Sequence, residues 1–226
     1  MAGNNINVGG NVGGSVVAGE HNVVGAVVGA PHTPAAEQPR AAGAGKTPRL
    51  GFVLDVVGYG QRDADGREDL QQRLDELVGR VLADLGVKPA DTVTIPEGDS
   101  KIVFLPVGAD TSTVLPLLLS ATAERLRRDN RRYTDRMRLR MAVGTGLLGD
   151  APLGHSGDLI VDLNRLVNSA VIRQAVLENG ESDLVLLVTH TLHDEVIRPG
   201  YLNRDEFVRV DVTMREFTAP GWLWLG

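Results

Sequence analysis

The chain has 226 residues, 42% of them hydrophobic, a formal net charge of −6 and no cysteine. Disulfides and thiolate chemistry are excluded, and the mild acidity gives no general attraction to nucleic acid or an anionic membrane. No stretch approaches the roughly 18 uninterrupted apolar residues of a membrane span, and no basic start leads into an apolar signal core, so a cytoplasmic protein is expected.

Residues 1–30 read as a Gly/Val/Asn-rich tail with internal echoes: Asn-Ile-Asn-Val-Gly-Gly, then Asn-Val-Gly-Gly-Ser-Val-Val-Ala-Gly, then Asn-Val-Val-Gly-Ala-Val-Val-Gly. Valine pairs set between Asn and Gly suit very short strands with tight turns. They bury too little to fold alone and gain stability by stacking on copies of themselves. Residues 31–49, with Pro31, Pro34, Pro39 and Pro48, read as an Ala/Pro-rich linker. Gly45-Lys46-Thr47 imitates the end of a P-loop, but Arg40 stands where the first glycine belongs and Pro48 follows in place of a helix.

From residue 50 to 226 the pattern is that of one globular α/β domain. Leu50–Val57 is a buried strand that carries Asp55 into the turn Val56-Val57-Gly58-Tyr59-Gly60. Residues 64–86 form an amphipathic helix with leucines and valines on one face, stopped by Gly86. Two β-prone runs, Thr92–Ile95 and Lys101–Leu105, flank a hairpin tip at Glu97-Gly98-Asp99-Ser100. A second helix is expected over about 112–130. Residues 137–144 alternate Met137, Leu139, Met141 and Val143 with Arg138 and Arg140, as a half-exposed strand does. A third helix is expected over 158–178, a buried strand at Leu184–Thr189, a short helix at 191–197, and closing strands at Phe207–Met214 and Trp222–Leu225. This order describes a ferredoxin-like, palm-type α+β sheet with helices on one face.

Asp55 at a strand end and Asp99 at a hairpin tip are the candidate metal ligands. Two carboxylates supply hard oxygen atoms, and Mg²⁺ or Mn²⁺ relieves their mutual repulsion. The plain alternatives are a turn-capping acid for Asp55 and a β-turn acid for Asp99. His190 and His193, three apart, lack a third defined ligand and read as incidental. The arginine run Arg125, Arg127, Arg128, Arg131, Arg132 and Arg136 reads as a solvated helix end balanced by acids.

The Asp-x-x-Gly-Tyr-Gly opening, the Gly-Asp hairpin, the Met137-Arg-Leu-Arg-Met-Ala-Val-Gly144 strand and the late Gly200-Tyr201…Phe207-Val208-Arg209-Val210 run together resemble the class III nucleotidyl cyclase catalytic domain in its divergent actinobacterial form. The resemblance covers essentially 50–226. It implies that Asp55 and Asp99 bind the metal and that the Val56, Val57, Gly58, Tyr59 and Gly60 backbone holds phosphate oxygens. It also places Arg165 where the family's arginine steadies charge on the transferring phosphate. The partners implied are a nucleoside triphosphate and a second copy of the chain, since the family's site lies between two protomers, with metal and arginine from opposite chains. Three positions depart from the pattern. Val161 stands for a ribose-binding asparagine, Gly154 for an acid that reads the purine, and Ile95 for a Lys or Glu before the hairpin glycine. The base is therefore not specified. The tail's Gly14-Ser-Val-Val-Ala-Gly19 and Asn22-Val-Val-Gly25 resemble RHIM-like bacterial amyloid signalling motifs, which implies a partner protein recruited through residues 4–30 in a signalling or antiphage conflict system. A nucleotide-binding cyclase domain and a non-catalytic adaptor built on the same fold both remain open.

Overall fold

The computed structural model describes residues 45–152, 154–214 and 217–226. The tail reading for residues 4–30 lies outside them. Among the described residues eight strands form the sheet: β1 (Thr47–Val56), β2 (Val93–Glu97), β3 (Ser100–Phe104), β4 (Leu139–Ala151), β5 (Gly154–Ser156), β6 (Leu184–Thr189), β7 (Val208–Met214) and β8 (Phe217–Leu225). Their order is β2-β3-β1-β4-β6-β8-β7, with β5 folded back on β4. The helices of eight residues or more among the described residues are α1 (Ala64–Asp84), α2 (Thr111–Arg132), α3 (Asp158–Val167) and α4 (Ala170–Glu178).

The first half is the expected ferredoxin-like unit. β1 lies antiparallel between β3 and β4, and β2 pairs with β3 at the edge. The two crossovers, β1-α1-β2 and β3-α2-β4, put α1 and α2 on the same face. There Leu50, Phe52, Leu54 and Val56 of β1 meet Leu70, Leu74 and Leu77 of α1 and Leu115, Leu118 and Leu126 of α2. A buried leucine contributes about 1.5–3 kcal/mol, so this layer is the main hydrophobic support of the fold.

The second half corrects the expectation of one helical face. α3 and α4 cover the opposite side, with Leu159, Leu163, Ile172 and Val176 packed on Val53, Ile102 and Ala142. The expected helix over 158–178 is two helices. Ser169 breaks it, because its side chain accepts the Ile172 amide as the N-cap of α4 while its hydroxyl donates to the Leu166 carbonyl at 2.8 Å. α3 also sits unusually close to the sheet, over Gly51 and its cross-strand partner Gly144. A Cβ on Gly51 would meet the Phe104 ring at 2.6 Å and Leu159 at 3.2 Å, and one on Gly157 would meet the Leu147 carbonyl oxygen at 2.0 Å. Glycine at these positions sets how far α3 can descend.

β1 starts at Thr47, three residues earlier than the periodicity indicates, so the P-loop imitation ends inside a strand. Within the arginine run, Arg125 pairs with Asp84, Arg127 and Arg128 with Glu124, and Arg136 with Asp183, which is a balanced helix end. Among the described residues no helix is long and apolar enough to cross a membrane.

Candidate functional site

Asp55 is the second-last residue of β1, and the strand's alternation decides which side it faces. Phe52, Leu54 and Val56 point into the α1/α2 layer, so Val53 and Asp55 face α3 and α4. The antiparallel register places Asp55 opposite Ser100 on one side and Arg140 on the other. Asp55 is only 6% exposed. The Arg140 guanidinium donates to it from Nε at 2.8 Å and also from Nη2, both to the same oxygen, Oδ2. Among the described residues no hydrogen bond to Oδ1 is present.

Asp99 follows Gly98, whose φ of +65° is a left-handed turn conformation that a side chain would strain. The Asp99 carbonyl accepts the Val56 amide at 3.0 Å, which ties the hairpin tip to the residue after Asp55. Burial pushes the Asp55 carboxyl above its ordinary range. Arg140 pulls it back through charge and hydrogen bonding, the Asp99 carboxylate adds to the rise, and Arg173 of α4 opposes it. The net rise is first a burial effect, which Arg140 and Arg173 do not fully offset. The Asp99 carboxylate thus acts on Asp55, and two carboxylates of this kind could hold a hard divalent cation.

The turn after β1 differs from the expected phosphate loop. The Val56 and Val57 amides are already committed, to the carbonyls of Asp99 and Arg138 at 3.0 and 2.9 Å. An amide donates once, so these two cannot also hold phosphate, and the candidate backbone donors narrow to Gly58, Tyr59 and Gly60. Gly58 adopts φ +70° and opens a short 3₁₀ turn over Tyr59–Gln61. Arg62 fixes that turn from behind by donating to the Val57 and Gly58 carbonyls at 3.1 and 2.8 Å and by pairing with Asp135. Gln71 of α1 then joins both motifs: its amide nitrogen lies 2.9 Å from the Tyr59 hydroxyl and 2.9 Å from the Gly98 carbonyl.

Arg165 is half-buried on α3 and pairs with Asp162 at 3.4 Å. The charged groups that act on Asp55 include Arg140, Asp99 and Arg173. Val161, one turn before Arg165, is 46% exposed and apolar. Ile95 is partly buried against the α3/α4 core, and Gly154 takes φ +110° at the β4–β5 hairpin. None of the three offers a side-chain hydrogen bond to a base or ribose.

Sequence reasoning missed Arg140, Arg173 and Gln71 as members of this site. The alternation had already put Arg138 and Arg140 on one face of β4. Only the register shows that Arg140 meets Asp55 while Arg138 turns to the carbonyls at the end of α4, those of Val176 and Asn179 at 2.9 and 2.8 Å. Gln71 lies on the exposed side of α1 and carries no local signal.

No family model matches the sequence, and no curated protein matches it. The fold, however, is that of nucleotide cyclase domains. The guanylyl cyclase Cya2 superposes with a TM-score of 0.54 at 12% identity, covering 81% of this chain and 95% of that one. An adenylate/guanylate cyclase/hydrolase from Silicibacter pomeroyi gives 0.52 at 14% identity, covering 79% and 98%. The guanylate cyclase domain of RhGC from Catenaria anguillulae, in complex with GTP, gives 0.52 at 9% identity, covering 80% and 97%. At these identities the likeness is one of fold.

Proposed function

We propose that the chain is a metal-dependent nucleotide-binding signalling domain of the cyclase type, which takes a nucleoside triphosphate with Mg²⁺ or Mn²⁺ at Asp55 and Asp99. The observation that carries this reading is the setting of Asp55: a buried carboxylate that Arg140 engages on one oxygen, with the Asp99 hairpin tied to the next residue and its carboxylate acting on Asp55. A bound divalent ion would supply positive charge there and screen the triphosphate. Gly58, Tyr59 and Gly60 offer backbone donors to phosphate oxygens, and Gln71 keeps their turn in step with the Asp99 hairpin. Cyclisation would join the 3′-oxygen to the α-phosphorus, release pyrophosphate and give the hydroxyl proton to solvent. Arg165 of a second copy would steady charge on the α-phosphate.

A second reading is favoured by α3. With Val161 exposed where a ribose contact is expected, the domain binds a nucleotide without turning it over and serves as an adaptor. In both readings residues 4–30 recruit a partner protein by amyloid-like stacking, in a cytoplasmic signalling or antiphage system.

One assay separates the two readings. Purified chain is incubated with each of the four NTPs under Mg²⁺ or Mn²⁺, and cyclic product, pyrophosphate and bound nucleotide are measured. Cyclic product that Asp55→Ala or Asp99→Ala abolishes establishes the cyclase. Binding without product, still dependent on both acids, establishes the adaptor. No metal-dependent binding of any NTP ends both.

A further inference from the structure

At the end of β6, Thr189 caps a single helical turn, His190–Leu192, by accepting the Leu192 amide. The chain then widens into a π-turn over His193–Ile197, closed by the Arg198 amide on the His193 carbonyl at 2.8 Å. Such widened turns re-aim side chains and concentrate at functional sites. Here Asp194, in the turn, lies beside the two histidines that the sequence read as incidental. His193 Nδ1 lies 3.1 Å from Asp194 Oδ1, His190 Nδ1 lies 3.8 Å from the same oxygen, and each of the three residues offers one ligand atom within 4.8 Å of the other two.

We propose that His190, His193 and Asp194 form a binding site for a divalent transition metal of the zinc type. Four-coordinate zinc with bonds of about 2.0–2.1 Å sets neighbouring ligand atoms roughly 3.3–3.4 Å apart. The two separations from Asp194 Oδ1 bracket that value, so small rotations of the exposed His190 and the half-buried Asp194 about the fixed His193 ring close the site. The oxygen that faces both imidazoles is Oδ1, whereas the nearby cation, Arg198, approaches Oδ2 at 3.6 Å. The metal position is therefore not already filled by the arginine.

His193 is preorganised. Its ring is 6% exposed and lies flat on the Trp222 indole, with centroids 3.5 Å apart and planes 4° apart. A packed ring that cannot swing costs little to order on binding, which is how supporting contacts tune metal affinity. The Trp222 indole N–H is also the buried side-chain polar atom without a partner among the described residues. Two imidazoles and one carboxylate select zinc, cobalt, nickel or copper over magnesium, and three protein ligands leave a position for water.

The site is separate from the Asp55 site and does not depend on the nucleotide reading. Asp55 sits opposite Arg140, and Arg140 opposite Val185. His190 is five residues further along (190 − 185), about 16–17 Å up the strand direction and two strands across.

The test is titration of the tag-free full-length chain with Co²⁺ and Cu²⁺. Co²⁺ should produce visible d–d bands that saturate at one equivalent, in the presence of millimolar Mg²⁺. Cu²⁺ should quench tryptophan fluorescence through the ring stacked on His193, and Trp222→Phe should abolish that quench while keeping the cobalt bands. His190→Ala and Asp194→Asn, at exposed and half-buried positions that leave the core intact, should each weaken cobalt binding at least about tenfold. His155→Ala, which alters the separate His155–Asp150 pair, should leave it unchanged. Absence of cobalt bands and quenching at tens of micromolar metal overturns the proposal. So does binding that survives both His190→Ala and Asp194→Asn.

Discussion

Two buried ion pairs, one on each side of the sheet, show how similar chemistry serves different ends. In the α1/α2 layer Arg73 is 2% exposed and surrounded by acceptors: Asp129 at 2.9 and 2.6 Å, Asp69 at 3.3 Å, the Asp135 carbonyl at 3.0 Å, and the Tyr133 ring with its centroid 4.3 Å away. The buried partner is the cation, and its surroundings carry more negative charge than it needs. On the α3/α4 side the more deeply buried partner is the anion. Asp55 has one arginine, a second acid nearby and a carboxyl held above its usual range by burial. A pair with a surplus of counter-charge is closed and structural. A pair with a deficit can take up another ion, and that is the physical basis for placing the metal at Asp55.

The largest expected effect tests the closed pair. Arg73→Ala leaves the nearly buried Asp129 without its partner, and removing one partner of a buried pair costs about 3–5 kcal/mol. Urea unfolding should show that loss, while the folded fraction keeps its metal–nucleotide affinity. A loss below roughly 1 kcal/mol would remove the distinction between the two pairs.

Asp55→Asn should invert this outcome. The amide still accepts from Arg140, so stability should stay within about 1 kcal/mol of the parent. Mn²⁺-dependent nucleotide binding should fall on the order of a hundredfold, or about 2.7 kcal/mol, in isothermal titration. Unchanged affinity would place the metal elsewhere.

A pH series sharpens the same contrast. Because the folded-state pKa of Asp55 lies above its ordinary value of 3.8, the native state holds the Asp55 proton more tightly than the unfolded chain. Its favourable contribution is complete below 3.8 and is lost as pH rises through the elevated folded value. Unfolding at pH 7, 5.5 and 4.5 should therefore show the parent gaining stability relative to Asp55→Asn as pH falls. Saturating Mn²⁺, which favours the charged carboxylate, should flatten that gain. A gain toward high pH without metal would contradict the assignment.

The smallest expected effect concerns Gln71. Gln71→Ala removes two hydrogen bonds that join the Tyr59 turn to the Gly98 carbonyl, each contributing about 0.5–1.5 kcal/mol at most. Nucleotide affinity should drop several-fold with little change in unfolding midpoint. An effect on stability alone would make the contact purely structural.

The local patterns of the chain determined a good deal. Alternation along 50–57, the helical leucine faces of α1 and α2 and the glycine turns at Gly58 and Gly98 follow from periods of 2 and 3.6 residues and from positive φ, all properties of neighbouring residues. The acid at each motif was readable for the same reason. Ser169 was visible as a residue type, but whether it interrupts a helix depends on Leu166 and Ile172 being buried together around it. That Asp194 Oδ1 lies beside both His190 and His193 was not readable, since the π-turn that follows, with its wide hydrogen bond from Arg198, has no sequence period. Tertiary structure alone decided that Arg140 meets Asp55 across a separation of 85 residues, that Val56 and Val57 spend their amides on Asp99 and Arg138, and that α3 descends onto Gly51 and Gly144. Strand register and close packing are set by the whole sheet at once, and a one-residue slip would have put Asp55 in the α1/α2 core.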